Sequence, residues 1–282
     1  MKITQLSHTD VLSVLPDRKQ DAHKGDFGRI LLLCGSKGYT GAAALAANGA
    51  LRCGAGLVYL GVPDSIYAIE AIKLNEPIVF PLPDEDGKMS DGAYDVIAQL
   101  LPKMDAVLIG PGMGCSCGTL AVTKRVLANY TGPVILDADG INVLAKHIDV
   151  LRERTGITIL TPHEGEFLRA GGKLSDDRVE SAANFAKRTN SVILLKGHNT
   201  VITDGESCFV NTTGNPGMAV GGSGDVLAGM ICALVGQGIP AIQAAACGGW
   251  LHGAAGDICA DEIGQYAMLP TDMLNVLPRL LK

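Results

Sequence analysis

The chain has 282 residues, 47% hydrophobic and 18% charged, which supplies ample apolar surface for one large buried core and excludes a disordered chain. A net charge of -6, with no run of Lys and Arg, excludes a nucleic-acid-binding surface. The segment Met1–Gly28 has no apolar core of signal-peptide length, and the longest apolar stretch, Val226–Val235, is far below the roughly 20 residues of a membrane span; a cytoplasmic protein without membrane contact is expected.

In chain order, short apolar runs recur at Ile30–Cys34, Leu57–Val62, Ile78–Pro81, Ala106–Ile109, Val134–Leu136, Ile157–Leu160 and Val192–Leu195, with helix-compatible stretches between them. That is βαβ spacing. Several runs are continuously apolar, as parallel strands buried on both faces must be. Cys115-Ser116-Cys117 has one spacer residue where a zinc or redox pair has two, and most other cysteines sit in apolar segments, where they act as small reduced hydrophobes. Thr200–Thr203 and Cys208–Val210, around the turn Asp204-Gly205-Glu206, read as a hairpin on the sheet edge. Two Ala/Gly-rich helices follow, near 225–236 and 240–258, and the second could pack inside one subunit or between subunits. The expectation is a single domain over 1–282: an α/β protein of three layers, helices on both sides of a mostly parallel sheet with an edge hairpin.

Ligands of open α/β sheets bind beyond the carboxyl ends of strands, which directs attention to the loops Gly35–Gly41, Gly110–Gly114, Asp137–Gly140, Thr161–Glu166 and Lys196–Thr200. The turn Gly221-Gly222-Ser223-Gly224 runs straight into an apolar helix. Its glycines allow several amide N–H groups to converge where the helix dipole is positive, so Gly222, Ser223 and Gly224 form a candidate anion hole. No Lys or Arg lies between Lys196 and Arg279, so a phosphate there rests mainly on backbone amides, with cationic help from earlier segments or a metal ion. The chain has neither the P-loop pattern nor the G-x-G-x-x-G turn.

Asp225 in the first helical turn could cap the helix, but a carboxylate beside a phosphate cradle is placed to take a proton from an attacking hydroxyl, and this makes it the candidate base. Each strand-end loop also has a plainer reading. Lys196–Thr200 could line an adenine and ribose pocket or be a polar turn, and Gly110–Gly114 admits close ligand approach or a tight turn. His163 could be a helix-start residue, and its spacing from Glu164 and Glu166 does not suit a metal. Asp137 and Asp139 could hold magnesium through water or start the next helix.

Taken together, His23–Gly28, Gly35–Gly56, Gly110-Pro-Gly112, Leu136-Asp-Ala-Asp139, Thr161-Pro-His-Glu-Gly-Glu166, Lys196-Gly197 and Gly221–Asp225 closely resemble the ADP- or ATP-dependent NAD(P)H-hydrate dehydratases, in the same order and over almost the whole chain. The resemblance implies a ribokinase-like fold and a hydro-lyase that repairs hydrated NADH or NADPH with Mg2+ and ADP (or ATP) as co-substrate, giving AMP and phosphate. It implies Ala43, Gly112, His163 and Asp225 on the hydrated dinucleotide, with Asp225 catalytic. On the adenine nucleotide it implies Lys196, Gly197, His198, Asn199, Thr200 and Gly224. No residue is assigned to the metal. A homo-oligomer, a tetramer, follows from the same resemblance, with the epimerase activity that many relatives carry expected on a separate chain. A ribokinase-like kinase of a thiamine-precursor alcohol and a nucleotide-binding protein without turnover are the rival readings.

Overall fold

Short runs with no polar side have no solvent face to offer as surface helices, whereas a strand covered by helices above and below buries both of its faces. A computed structural model, which describes residues 2–282, shows this outcome. β1 (Ile3–Thr4) and α1 (His8–Val14) lead into β2 (Arg29–Leu33), α2 (Thr40–Arg52), β3 (Leu57–Pro63), α3 (Asp64–Lys73) and β4 (Ile78–Leu82). A small hairpin, β5 (Asp84–Glu85) and β6 (Lys88–Met89), precedes α4 (Ala93–Leu100), β7 (Ala106–Ile109), α5 (Cys117–Asn129), β8 (Val134–Leu136) and α6 (Asp139–Leu144). Then come β9 (Thr158–Leu160), α7 (Glu164–Arg169), α8 (Arg178–Thr189) and β10 (Val192–Leu195). The last elements are β11 (Thr200–Thr203), β12 (Cys208–Asn211), α9 (Ser223–Gly236), α10 (Ala241–Glu262) and α11 (Pro270–Leu280).

The main sheet has 10 strands in the order β1-β12-β11-β10-β9-β8-β7-β2-β3-β4. From β4 to β10 neighbouring strands are parallel, and β11 is antiparallel to both β10 and β12. The hairpin forms as expected, but β1 pairs in parallel with β12 and lies outside it, so two N-terminal residues form the true edge. Ile157 falls just outside its strand.

Alternate residues of each strand enter opposite cores: Ile30 and Leu32 join one, Leu31 and Leu33 the other, all fully buried. Each such side chain contributes roughly 1.5–3 kcal/mol of burial energy. On the first face α2 and α9 lie unusually close. A Cβ on Gly229 would overlap the Ala46 carbonyl, and one on Gly49 would overlap the Val226 carbonyl. Small residues thus let two backbones touch, and this contact sets the height of α9 over the sheet, where it packs on β2, β7 and β8. The Ala/Gly-rich α10 packs within the subunit against α9, α11 and β10–β12. Among the described residues no helix is long and apolar enough to cross a membrane.

Candidate active site

β2, β7, β8, β9 and β10 are adjacent and parallel, so the loops after them all emerge on one side of the sheet. After β2 the chain moves outward through β3 and β4, then returns to place β7 on the opposite flank of β2. That reversal between β2 and β7 is a switch point, the place where open α/β sheets take their ligands. The two loops are stitched there: the Gly35 N–H donates to the Pro111 carbonyl at 2.8 Å and the Ser36 hydroxyl to the Gly112 carbonyl at 2.7 Å. Ala43 lies below, fully buried, its methyl against Gly35, while Tyr39 at the end of the loop after β2 is 64% exposed. Gly112 has a φ of 61°, and a side chain there would strike Ala42 and Tyr39.

The loop after β8 meets this one. A Cβ on Gly110 would overlap the Asp137 carbonyl, so a side chain at 110 would push Asp137 away. Asp139 accepts from the Gly114 N–H at 2.9 Å and from Asn142 Nδ2 at 3.2 Å. Asp139 therefore starts α6 and anchors the glycine loop. Between the two aspartates Ala138 adopts φ 47° and ψ -114°, a backbone state of roughly 1–3 kcal/mol strain for a residue with a Cβ. The strain aims Asp137 and Asp139 in different directions. Asp137, buried, accepts from Thr161 Oγ1 at 2.7 Å and from Lys196 Nζ at 2.9 Å.

Lys196 Nζ lies also 3.7 Å from Glu166 Oε2. Burial works against its charge, but Asp137 and Glu166 more than offset this and hold the ammonium above the usual lysine range. Its backbone N–H donates to the Pro162 carbonyl at 2.8 Å. Gly197, His198 and Asn199 are exposed beyond it, and the Thr200 hydroxyl closes the loop on the Gly197 carbonyl at 2.9 Å. A cleft of about 540 Å³ opens beside this loop, lined by Asp176, Asp177, Arg178, Val179, Asn199, Val201 and Val210. Small-ligand sites span roughly 300–1,000 Å³.

α9 points its first turn at this cluster. Gly222 takes the left-handed φ of 100° that starts the helix, and no side chain caps it. The Ser223 N–H donates to the Val220 carbonyl at 3.3 Å, which leaves Gly224 and Asp225 as the N–H groups with no carbonyl a turn earlier. The atom nearest to where a Gly224 Cβ would stand is Lys196 Nζ, 3.4 Å away, followed by Asp137 Oδ2 at 4.0 Å. The cation that the segment after Lys196 lacks thus arrives from the end of β10. Asp225 sits in this first turn without acting as a cap, contrary to the plainer reading of it. Burial, and then the charge of Asp137, push its carboxyl up to about 6 against the pull of Lys196.

The match to known proteins is decisive for ancestry: the family model described as NAD(P)H-hydrate dehydratase fits residues 30–279. The chain belongs to the NAD(P)H-hydrate dehydratase family. It is 36% identical over 291 residues to the ADP-dependent (S)-NAD(P)H-hydrate dehydratase of Bacillus subtilis, covering 100% of this chain and 99% of that one. It is 44% identical over 277 residues to the bifunctional NAD(P)H-hydrate repair enzyme of Moorella thermoacetica, covering 96% of this chain and 52% of that protein. The chain thus spans about half the length of such bifunctional relatives. The crystal structure of the Bacillus subtilis ADP/ATP-dependent dehydratase, co-crystallised with ATP/Mg2+, superposes with a TM-score of 0.85 at 32% identity, covering 99% of this chain and 98% of that one. Hydroxyethylthiazole kinase from Pyrococcus horikoshii, at 17% identity and a TM-score of 0.62, shares the fold.

Within the candidate site, Lys196, Gly224 and Asp225 come together, and His163 starts α7. His163 is the N-cap of α7: its Nδ1 accepts from the Gly165 N–H at 3.0 Å, and Nε2 lies 3.4 Å from Glu166 Oε1. It thereby orients Glu166 towards Lys196. The contacts of three residues around the candidate site escape sequence reasoning. Thr161 and Asp137 each follow a strand directly, which is a usable signal. His252 has none: it lies in mid-helix on α10, buried, and its Nε2–H donates to the Ser223 carbonyl at 2.9 Å. Burial lowers this imidazole to about 4, so it is neutral at pH 7 and ties α10 to the start of α9.

Proposed function

We propose that the chain is an ADP- or ATP-dependent NAD(P)H-hydrate dehydratase, with ADP the expected donor, acting in the cytoplasm as one catalytic domain over residues 1–282. The observation that carries this reading is Asp225, a carboxyl at about 6, in the first turn of α9 beside Lys196 and Asp137. Such a group is ionised at neutral pH yet basic enough to accept a proton from an attacking alcohol. In the proposed reaction Asp225 takes the proton of the hydrated ring's hydroxyl as its oxygen attacks the terminal phosphorus of ADP. The bond from that phosphorus to the bridging oxygen breaks and AMP departs. The ring phosphoester then loses phosphate with the C–O electron pair while the adjacent ring carbon loses a proton, which restores the dihydronicotinamide. Hydroxide is a poor leaving group and phosphate a good one, so the nucleotide is consumed to make a hydroxyl leave.

The Gly222–Gly224 turn and the α9 amides stabilise the charge on the transferred group, an effect of a few kcal/mol per well-aimed donor. Lys196, held by Asp137 and Glu166, adds positive charge at the same point. The cleft beside Lys196–Thr200 offers Val179, Val201 and Val210 as an apolar wall for a nucleobase, and Gly112 lies at the β2–β7 switch point proposed for the hydrated dinucleotide, with Ala43 buried beneath it and His163 at the start of α7. Around Lys196 stand the carboxylates of Asp137, Glu166 and Asp225, hard oxygen donors that suit Mg2+ brought in on the phosphates. When bound, it would neutralise charge on the phosphoryl oxygens. Exposed Ile69, Ile72 and Ile78 near the β4 edge support a homo-oligomer, proposed as a tetramer and read by light scattering.

The test is to incubate the protein with hydrated NADH, Mg2+ and either ADP or ATP, following dihydronicotinamide absorbance and phosphate release. Recovery of absorbance with matching phosphate is expected. No recovery with either nucleotide sinks the proposal, and phosphoryl transfer to a simple alcohol in its place would make the protein a kinase.

A further inference from the structure

Lys196 is fixed from three directions. Its ammonium meets Asp137, its N–H meets the Pro162 carbonyl, and its carbonyl accepts from Arg178 Nη2 at 3.2 Å. The same Nη2 reaches the Leu195 carbonyl at 3.4 Å, so one guanidinium bridges the end of β10 and the start of the Lys196–Thr200 loop. It also packs against Gly197, where a Cβ would stand 2.8 Å from Nη2. On its other side Arg178 Nη1 is paired with Glu164, which lies between His163 and Glu166. A single side chain therefore links the loop after β9 to the loop after β10. It also lines the cleft beside Asn199 and Val201.

Its hydrogen bonding is incomplete. Arg178 Nε is buried with no partner among the described residues, a state seldom retained unless the surroundings demand it. An arginine at the exposed start of a helix could turn outward and hydrate Nε fully, since α8 is capped by Asp177, which accepts from the Glu180 N–H at 2.9 Å, and does not depend on Arg178. The arginine instead turns inward, to two loop carbonyls and Glu164. Lysine could not do the same, because only the planar guanidinium presents donors to both sides at once.

We infer that Arg178 is a positioning residue for the nucleotide, holding the Lys196–Thr200 loop in the shape that presents Lys196 to the phosphates and Asn199 to the cleft, with Glu164 as its anchor. This rests on the reading of that loop as the nucleotide site. The experiment compares wild type, Arg178→Met, Arg178→Lys and Glu164→Gln by calorimetric titration with ADP and by steady-state kinetics with hydrated NADH. Arg178→Met is expected to raise the ADP Kd and the ADP KM at least tenfold, with the hydrated NADH KM within twofold of wild type. Arg178→Lys should recover less than half of that loss on a logarithmic scale. Glu164→Gln, at an exposed carboxylate whose loss does not threaten folding, should raise the ADP Kd about threefold and decides the matter if Arg178→Met does not fold. ADP Kd values within twofold of wild type in the folded variants overturn the inference, as does an equal rise in both KM values. A wild-type protein with no affinity for ADP or ATP overturns the nucleotide-site reading itself, whatever the variants do.

Discussion

Replacing Asp225 by Asn separates catalysis from stability in a direction few active-site changes would share. In the folded protein the carboxyl rises from 3.8 to about 6, chiefly through burial and the neighbouring charge of Asp137. At 1.36 kcal/mol per pH unit the difference corresponds to about 3 kcal/mol of disfavoured ionisation as a ceiling, and solvent at the partly open site reduces this to about 1–2 kcal/mol. The sign follows from linkage. A carboxyl raised on folding weakens the fold fully above pH 6, and the penalty fades as pH falls from 6 through 4 and is gone only below about 3, where folded and unfolded forms are both protonated. Asn has no ionisation to disfavour and nearly the same shape. Asp225→Asn should therefore be more stable than wild type by about 1–2 kcal/mol at pH 8, with a smaller gain at pH 4. In the same variant kcat should fall by about 10²–10⁴ through loss of the base, while ADP binding is kept or slightly tightened. Urea unfolding at both pH values, single-turnover phosphate release and calorimetric titration with ADP supply the three readouts. A near-normal rate would reduce Asp225 to a helix-start residue, and a variant less stable at pH 8 than wild type would refute the electrostatic reasoning.

The pH profile of kcat/KM should fall on its acid side with an apparent pKa near 6, the value of Asp225; Lys196→Met, which removes the charge pulling that value down, should move the limb to higher pH and weaken ADP binding at least tenfold. An acid limb unmoved by Lys196→Met would show that the two groups do not interact. At the other end of the sheet Arg154, buried and without a carboxylate partner among the described residues, donates to the carbonyls of Leu127, Tyr130, Gly132 and Ile157, and Arg154→Leu should destabilise the fold by about 3–5 kcal/mol in urea unfolding without a selective change in ADP KM. Stability within about 1 kcal/mol of wild type would mean those carbonyls find other donors. Gly229→Ala forces α9 off the Ala46 carbonyl, and a loss of about 1–3 kcal/mol is expected together with a raised ADP KM, because the start of the same helix carries Gly224; a neutral effect on both would deny that the α2–α9 contact sets the site.

The strand-end loops are legible in the amino-acid sequence because their signals are local. Apolar runs of strand length mark β2, β7, β8, β9 and β10, and in a parallel sheet their ends must share one side, so Gly110, Asp137, Thr161 and Lys196 had to be near one another. The glycine turn ahead of an apolar helix likewise announces an anion site, since backbone freedom and the helix dipole belong to the segment itself. Placement of the hairpin strands needs no distant contact either, although the short β1 that covers them has no pattern a two-residue strand could leave.

What depended on tertiary structure is every property set by residues far apart in the chain. Whether Asp225 is a cap or a base turns on Asp137 and on burial, and the basic-free stretch after Lys196 left open which cation would serve the cradle until the end of β10 brought Lys196 within 3.4 Å of the Gly224 Cβ position. Asp137 and Asp139, alike in sequence, part into an ion-pair partner and a loop anchor because Ala138 between them is forced to a positive φ. His252 and Arg178 look like ordinary helix residues and act only through the distant segments they touch. Local backbone preference and hydrophobic periodicity are written along the chain, so the sequence alone determined the layers and the ring of loops. Electrostatics and close packing are sums over neighbours in space, so only the folded chain decided that the Asp225 carboxyl is raised and what holds the lysine beside it.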